Sequence, residues 1–218
     1  MAEFPFIVSA PVVVPIRSLG PGHRGRIASH LLALEPHDRY LRFGNAAGDV
    51  QIRAYVERID FERDEIFGIY NRKLELIALA HLAFAREPGS AQCAEFGVSV
   101  LPKYRGRGYG ARLFERAVIH ARNEQVDTLF IHALTENAAM LNIARKAGAT
   151  LENTGSETDG FLRLAPATFE SRMSALVDEQ VARTDFGLKL QARNLRNLWA
   201  GVQEVRRGIQ NARRKAAG

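Results

Sequence analysis

The residues best suited to chemistry in this chain are Arg105-Gly-Arg-Gly-Tyr-Gly110, where glycines at 106, 108 and 110 alternate with Arg107 and Tyr109. Such a stretch is suited to holding phosphate. Glycine lets the backbone come close to an anion, and the unpaired N–H groups of a following helix point at it with the favourable end of the helix dipole. Arg105, Arg107 and Arg112 add positive charge around the same point.

For that chemistry a strand must run into the loop and a helix must run out of it. Residues 94–101 are apolar and β-branched, alternating so that Glu95, Gly97 and Ser99 share one face and Phe96, Val98 and Val100 the other. After the loop, Leu113, Phe114, Ala117, Val118 and Ala121 fall on one side of a helix. Upstream, residues 65–70 and 74–85 form a hairpin around Asn71-Arg-Lys, and 87–90 make the next turn. Downstream, residues 128–133 read as a buried strand. Residues 137–147 read as a helix stopped at Gly148, with short strands near 150–152 and 161–164 around a polar turn at 153–160.

At the N-terminal end, 11–16 reads as a short strand bracketed by Pro11 and Pro15, and 26–34 and 49–59 read as helices. The stretch 34–43 reads as a surface loop after a proline break, with Tyr40, Arg42 and Phe43 able to line a cleft, though a packed loop is the plainer reading. The second glycine-rich segment, 20–25, reads as a simple turn. The order predicts an α/β (α+β) fold, a mixed sheet flanked by helices.

Composition sets the class. Of 218 residues 46% are hydrophobic and 25% charged, as in a globular chain, and no window nears the ~18 apolar residues of a membrane span. The start of the chain lacks signal-peptide character, so a cytoplasmic location is expected. The single cysteine, Cys93, excludes an intramolecular disulfide, and the six scattered histidines offer no metal constellation. His132 and His81 read as satisfied core or near-core histidines. Charge divides the chain: residues 166–218 carry ten Lys/Arg against five Asp/Glu, whereas 1–165 carry twenty against nineteen. A globular domain over 1–165 and a basic, amphipathic helical extension over 166–218 are therefore expected. Packing of the extension on the body, or on a second copy as a homodimer, is preferred over a partner or membrane-surface helix that buries Trp199 and the leucines, or a nucleic-acid contact through the basic face; stacking on single strands is disfavoured because Trp199 and Phe186 are the only aromatics after Phe169.

The loop resembles the Q/R-x-x-G-x-G/A motif of the GNAT superfamily of N-acetyltransferases. The meander before it, the buried strand after its helix, Asn137-x-x-Met140 and Arg145-Lys-Ala-Gly-Ala149 agree. The resemblance spans roughly residues 11–165. It implies a splayed central sheet, acetyl-CoA as the phosphate-bearing cosubstrate, and no metal. It assigns pyrophosphate binding to Arg105, Gly106, Arg107, Gly108, Tyr109 and Gly110. The edge of the Val98-Ser99-Val100 strand would pair with the pantetheine arm, and Asn137 would touch the cofactor. The acceptor would be a primary amine, on a small molecule or a protein lysine, with Glu95 as the base. One departure stands out. The tyrosine that many members use to protonate the leaving thiolate is Ala144 here, and this keeps open a second reading, a catalytically impaired acyl-CoA-binding sensor or partner-binding module.

Overall fold

In the computed structural model, residues 14–85, 92–167, 182 and 184–186 are described. Seven strands form one sheet: β1 (Arg17–Ser18), β2 (Glu65–Tyr70), β3 (Leu76–Ala85), β4 (Cys93–Val100), β5 (Thr128–Leu134), β6 (Thr150–Asn153) and β7 (Glu157–Arg163), in the spatial order β1-β2-β3-β4-β5-β7-β6. The helices are α1 (Arg24–Leu32), α2 (Pro36–Phe43), α3 (Asp49–Arg58), α4 (Tyr109–Asn123) and α5 (Ala138–Lys146). All strand pairs are antiparallel except β4–β5.

Strand alternation divides the core into two layers, one on each side of the sheet. Phe67, Ala80, Leu82 and Phe96 meet Leu113, Phe114 and Ala117 of α4 on one face. Ile66, Tyr70 and Leu79 meet Ile27 and Leu31 of α1 and Ile52 and Val56 of α3 on the other.

Three expectations need correction. Residues 34–43 are not a loop: Pro36 opens α2, because the first turn of a helix has no use for the N–H that proline lacks, and Gly44 closes it at φ +70°. The first strand lies at Arg17–Ser18 rather than over Val14–Ile16, pairing Arg17 with Gly68 and Ser18 with Phe67; residues 11–13 lie outside the described residues. The last strand begins at Glu157, so the polar turn is shorter than the composition suggested. The turn at 87–90 and nearly all of the basic extension lie outside the described residues. Of that extension, Ala182 is buried, and Phe186 stacks edge-on against Tyr70 at 5.2 Å beneath the Arg17 guanidinium, 4.0 Å from its ring.

One buried polar group ties the helical layer to the sheet. His30 of α1, 2% exposed, bonds through Nδ1 to the Leu76 carbonyl at 2.8 Å and through Nε2 to Ser99 Oγ at 2.8 Å. The carbonyl can only accept, so Nδ1 carries the proton and Nε2 accepts from the serine hydroxyl. Burial, with a smaller push from Arg42, lowers the His30 pKa from 6.5 to about 4. Because the unfolded histidine takes up its proton first as the medium acidifies, this contribution is complete above pH 6.5 and falls away as pH drops toward about 4. The whole contribution is about 3 kcal/mol. Urea melts should show the stability advantage of the parent over His30→Gln shrinking between about pH 7 and pH 5; an advantage independent of pH would refute the assignment.

Candidate active site

The sheet opens where β4 leaves β5. The two pair only at Cys93↔Thr128, Ala94↔Leu129 and Glu95↔Phe130, while β4 stays paired with β3 from Cys93 to Val100. From Phe96 onward the outer edge of β4 therefore has no strand against it. The Leu101 N–H bonds to the Ile77 carbonyl of β3. Main-chain groups alternate sides along a strand, so those of Val98 and Val100 point to the free edge and those of Ser99 to β3. The Ser99 side chain is taken up by His30.

A cavity of about 760 Å³ occupies this opening, lined by Val98, Val100, the glycine turn and α5 residues Met140 and Ile143. That is the scale of a small-molecule site. The turn has the conformation its glycines imply. Gly106 sits at φ +73° and Gly108, the N-cap of α4, at φ +74°, a region where a β-carbon is strained. Gly110 serves packing instead, since a β-carbon there would lie 3.3 Å from Ile143. The turn thus lines the cavity at the N-terminus of a fifteen-residue helix, a position suited to an anion.

Arg105 is used differently from its neighbours. Its Nη2 lies 2.5 Å from the carboxylate of Asp38 on α2, which is 7% exposed, and its Nε donates to the Val100 carbonyl at 3.2 Å. This side chain braces the loop rather than offering an uncommitted cation. Arg105→Ala leaves the Asp38 carboxylate buried without its partner and should destabilise the protein by about 1–3 kcal/mol. The check is a thermal melt taken with no ligand present; an unchanged midpoint would contradict the bracing role. Arg107 lies over the Tyr104 ring at 5.6 Å. Asn137 caps α5, accepting from the Met140 N–H at 3.2 Å and donating to the Leu41 carbonyl of α2 at 3.4 Å. Its side chain forms part of the cavity wall.

A smaller cavity of about 220 Å³ lies on the other side of the splay point, lined by Glu95, Gly97, Phe43 and His132. Glu95 is exposed, at the last residue where β4 and β5 still pair. His132 is not a core histidine. Its side chain is 47% exposed, with Nδ1 2.7 Å from Asp159 and Nε2 3.8 Å from Glu157. The bond to Asp159, then the charges of Asp159, Glu157 and Glu95, raise its pKa above the ordinary value. His81 does behave as a satisfied inner histidine, bonded to Asp64 at 2.9 Å. Ala144 is fully buried in the core, and no tyrosine stands anywhere on α5.

The model of the acetyltransferase (GNAT) family matches residues 35–149, which carries the whole splay point and the glycine turn. The chain belongs to the GNAT acetyltransferase family. It is an acyltransferase by that membership, and the splayed mixed sheet is the fold expected of it. The GNAT domain of the Streptomyces lividans PAT protein superposes with a TM-score of 0.59 at 19% identity, covering 74% of this chain and all of that one. An N-acetyltransferase from Staphylococcus aureus Mu50 gives 0.55 at 15% identity, covering 69% of this chain and 98% of the other. A spermidine N-acetyltransferase from Vibrio cholerae, solved with CoA and spermine, gives 0.51 at 18% identity over 67% of this chain and 91% of its own. No curated protein matches the chain in sequence. Arg42, Asp38 and the Tyr55–His81 pair are the site groups that sequence reasoning left aside or treated as packing. The signal available for Arg42 was Gly97, a glycine inside a strand, which marks a close approach by something else.

Proposed function

We propose that this GNAT protein is an acetyl-CoA-dependent N-acetyltransferase acting on a primary amine, with Glu95 as general base. The observation that carries the reading is the placement of Glu95 at the splay point. The large cavity is lined by the free strand edge and the glycine turn, and Glu95 is among the residues that line the smaller one. The pantetheine arm of CoA carries amide groups that match the main-chain groups of Val98 and the Val100 N–H, and the pyrophosphate of CoA matches the amides at 106–110. The thioester then lies where the cavities meet. An amine entering from the smaller cavity loses its proton to Glu95, directly or through one water, as its lone pair attacks the carbonyl carbon.

The acceptor class is a small-molecule amine or a protein lysine. Thiol release from acetyl-CoA, measured against a panel of spermidine, spermine and a lysine peptide, tests the reading, and acceptor-dependent release with one of them is expected. Ala144 favours a second reading, an acyl-CoA-binding sensor without turnover. CoA binding in calorimetry with no thiol release for any acceptor would select it.

A further inference from the structure

Five residues line both cavities: Leu41, Arg42, Val98, Asn137 and Met140. Arg42 is the charged one among them. Its guanidinium lies flat against Gly97 of β4: a β-carbon on Gly97 would come within 2.6–2.7 Å of Cζ and both terminal nitrogens. The glycine is a seat for this cation.

A chain of bonds running back through the sheet holds the guanidinium in place. Nη2 donates to the Tyr55 hydroxyl of α3 at 3.1 Å. That hydroxyl is hydrogen-bonded in turn to Nδ1 of His81 on β3, and His81 Nε2 meets Asp64 at 2.9 Å. Asp64 is itself fixed by the Phe84 N–H at 3.3 Å. The Phe43 and Tyr55 rings flank the guanidinium at 5.2 and 5.7 Å. Among the described residues no carboxylate pairs with Arg42. Asp38, on the same helix, is engaged by Arg105. A half-buried guanidinium that is positioned so closely, yet left without an anion, is suited to a negative charge that appears only during reaction.

We propose that Arg42 stabilises the sulfur of CoA as it becomes a thiolate, supplying by charge what the acid absent at Ala144 would have supplied by proton transfer. The proposal rests on the acetyl-CoA reading above. As the amine nitrogen bonds to the carbonyl carbon, its proton passes to Glu95. The C–S bond then breaks with its electron pair going to sulfur, and the thiolate leaves unprotonated beside the guanidinium. It takes a proton from solvent on release. Arginine keeps its own proton throughout, so it acts as a fixed cation. Tyr55 is a positioning residue, acting through Arg42. The other groups facing this point are Glu95 and Ser99 on β4, His30 on α1 and His132 on β5. Glu95 opposes the effect, and His30 is neutral when buried at pH 7.

The test needs no acceptor. Ultraviolet thiolate absorbance of CoA bound at saturation is titrated with pH, the desulfo-CoA complex serving as reference to remove protein tyrosines and Cys93. In the parent the bound thiol should titrate about 1–2 pH units below the thiol of free CoA titrated alongside it. In Arg42→Gln it should return to that value or above. Gly97→Ala, whose methyl group displaces the guanidinium without removing its charge, should do the same, and it decides the matter if Arg42→Gln fails to fold. Tyr55→Phe should give part of the return. CoA affinity measured where the thiol is protonated should change little in any variant. Equal thiol titrations in parent, Arg42→Gln and Gly97→Ala, with CoA bound to all three, would overturn the proposal and leave the acetyltransferase reading standing. Failure of the parent to bind CoA would overturn the acetyl-CoA reading itself, and this is seen before any titration.

Discussion

Glu95→Gln is expected to lower kcat/KM for acetyl transfer by about 10²–10⁴-fold while leaving the affinity for CoA within about twofold of the parent, the loss usual for a positioned base. The substitution keeps shape and hydrogen-bonding reach and removes only the ability to take a proton. Glu95 is exposed and belongs to neither core cluster, so the fold should not register the change. Raising the pH supplies more neutral amine from solution, so the variant should recover part of the lost rate under alkaline conditions, where the parent gains less. Steady-state thiol release across pH, together with calorimetry for CoA, separates the two quantities. A Glu95→Gln variant as active as the parent would mean that the proton leaves by another route. His132 is then the next group to vary, since it lines the same cavity and its pKa is raised by Asp159.

How much of this site a sequence displays depends on how local each signal is. The glycine turn, the alternation that puts Glu95 on one face of β4, and the stripe of α4 are set by neighbours a few residues apart, and each is found where the spacing places it. Proline misled at α2. Read as a break, Pro36 hides a helix that it in fact begins. His132 misled for a topological reason. An apolar run such as Thr128–Leu134 reads as a strand covered on both faces. But Leu129, Ile131 and Ala133 are buried, whereas Thr128, Phe130 and His132 share the more open face along the length of β5, and His132 lines the smaller cavity. Nothing inside residues 128–134 records which face the helices leave open.

The pairings that make the site electrostatically specific are all long-range. Asp38 meets Arg105, His30 meets Ser99, and Arg42 rests on Gly97. Each joins a helix from the first third of the chain to β4 or the turn that follows it. Helices α1 and α2 thus brace β4 and the glycine turn, and α2 also lines both cavities, although nothing in their own sequence has the form of a motif. The part legible in the sequence is the glycine turn. The part that sets the chemistry is assembled by packing.

That division makes Gly108 the sharpest test of the cradle. Gly108→Val should weaken CoA binding by at least about tenfold, equivalent to ~1.4 kcal/mol. At φ +74° a β-branched residue costs about 1–2 kcal/mol of strain, which the turn can relieve only by rotating the amides that would face pyrophosphate. Beyond its chain neighbours, no protein atom lies within 4 Å of the position the β-carbon would take, so the valine should act through the backbone of the turn rather than through a clash with the core. Gly110→Val makes the contrast, because its β-carbon would press on Ile143 at 3.3 Å; its main effect should be a lower melting temperature. If the turn binds pyrophosphate, the two variants separate, one losing affinity more than stability and the other stability more than affinity. A folded Gly108→Val protein with parental CoA affinity would show that the glycines serve the turn alone, and the phosphates would then have to be sought at Arg107, Arg112 or Lys146.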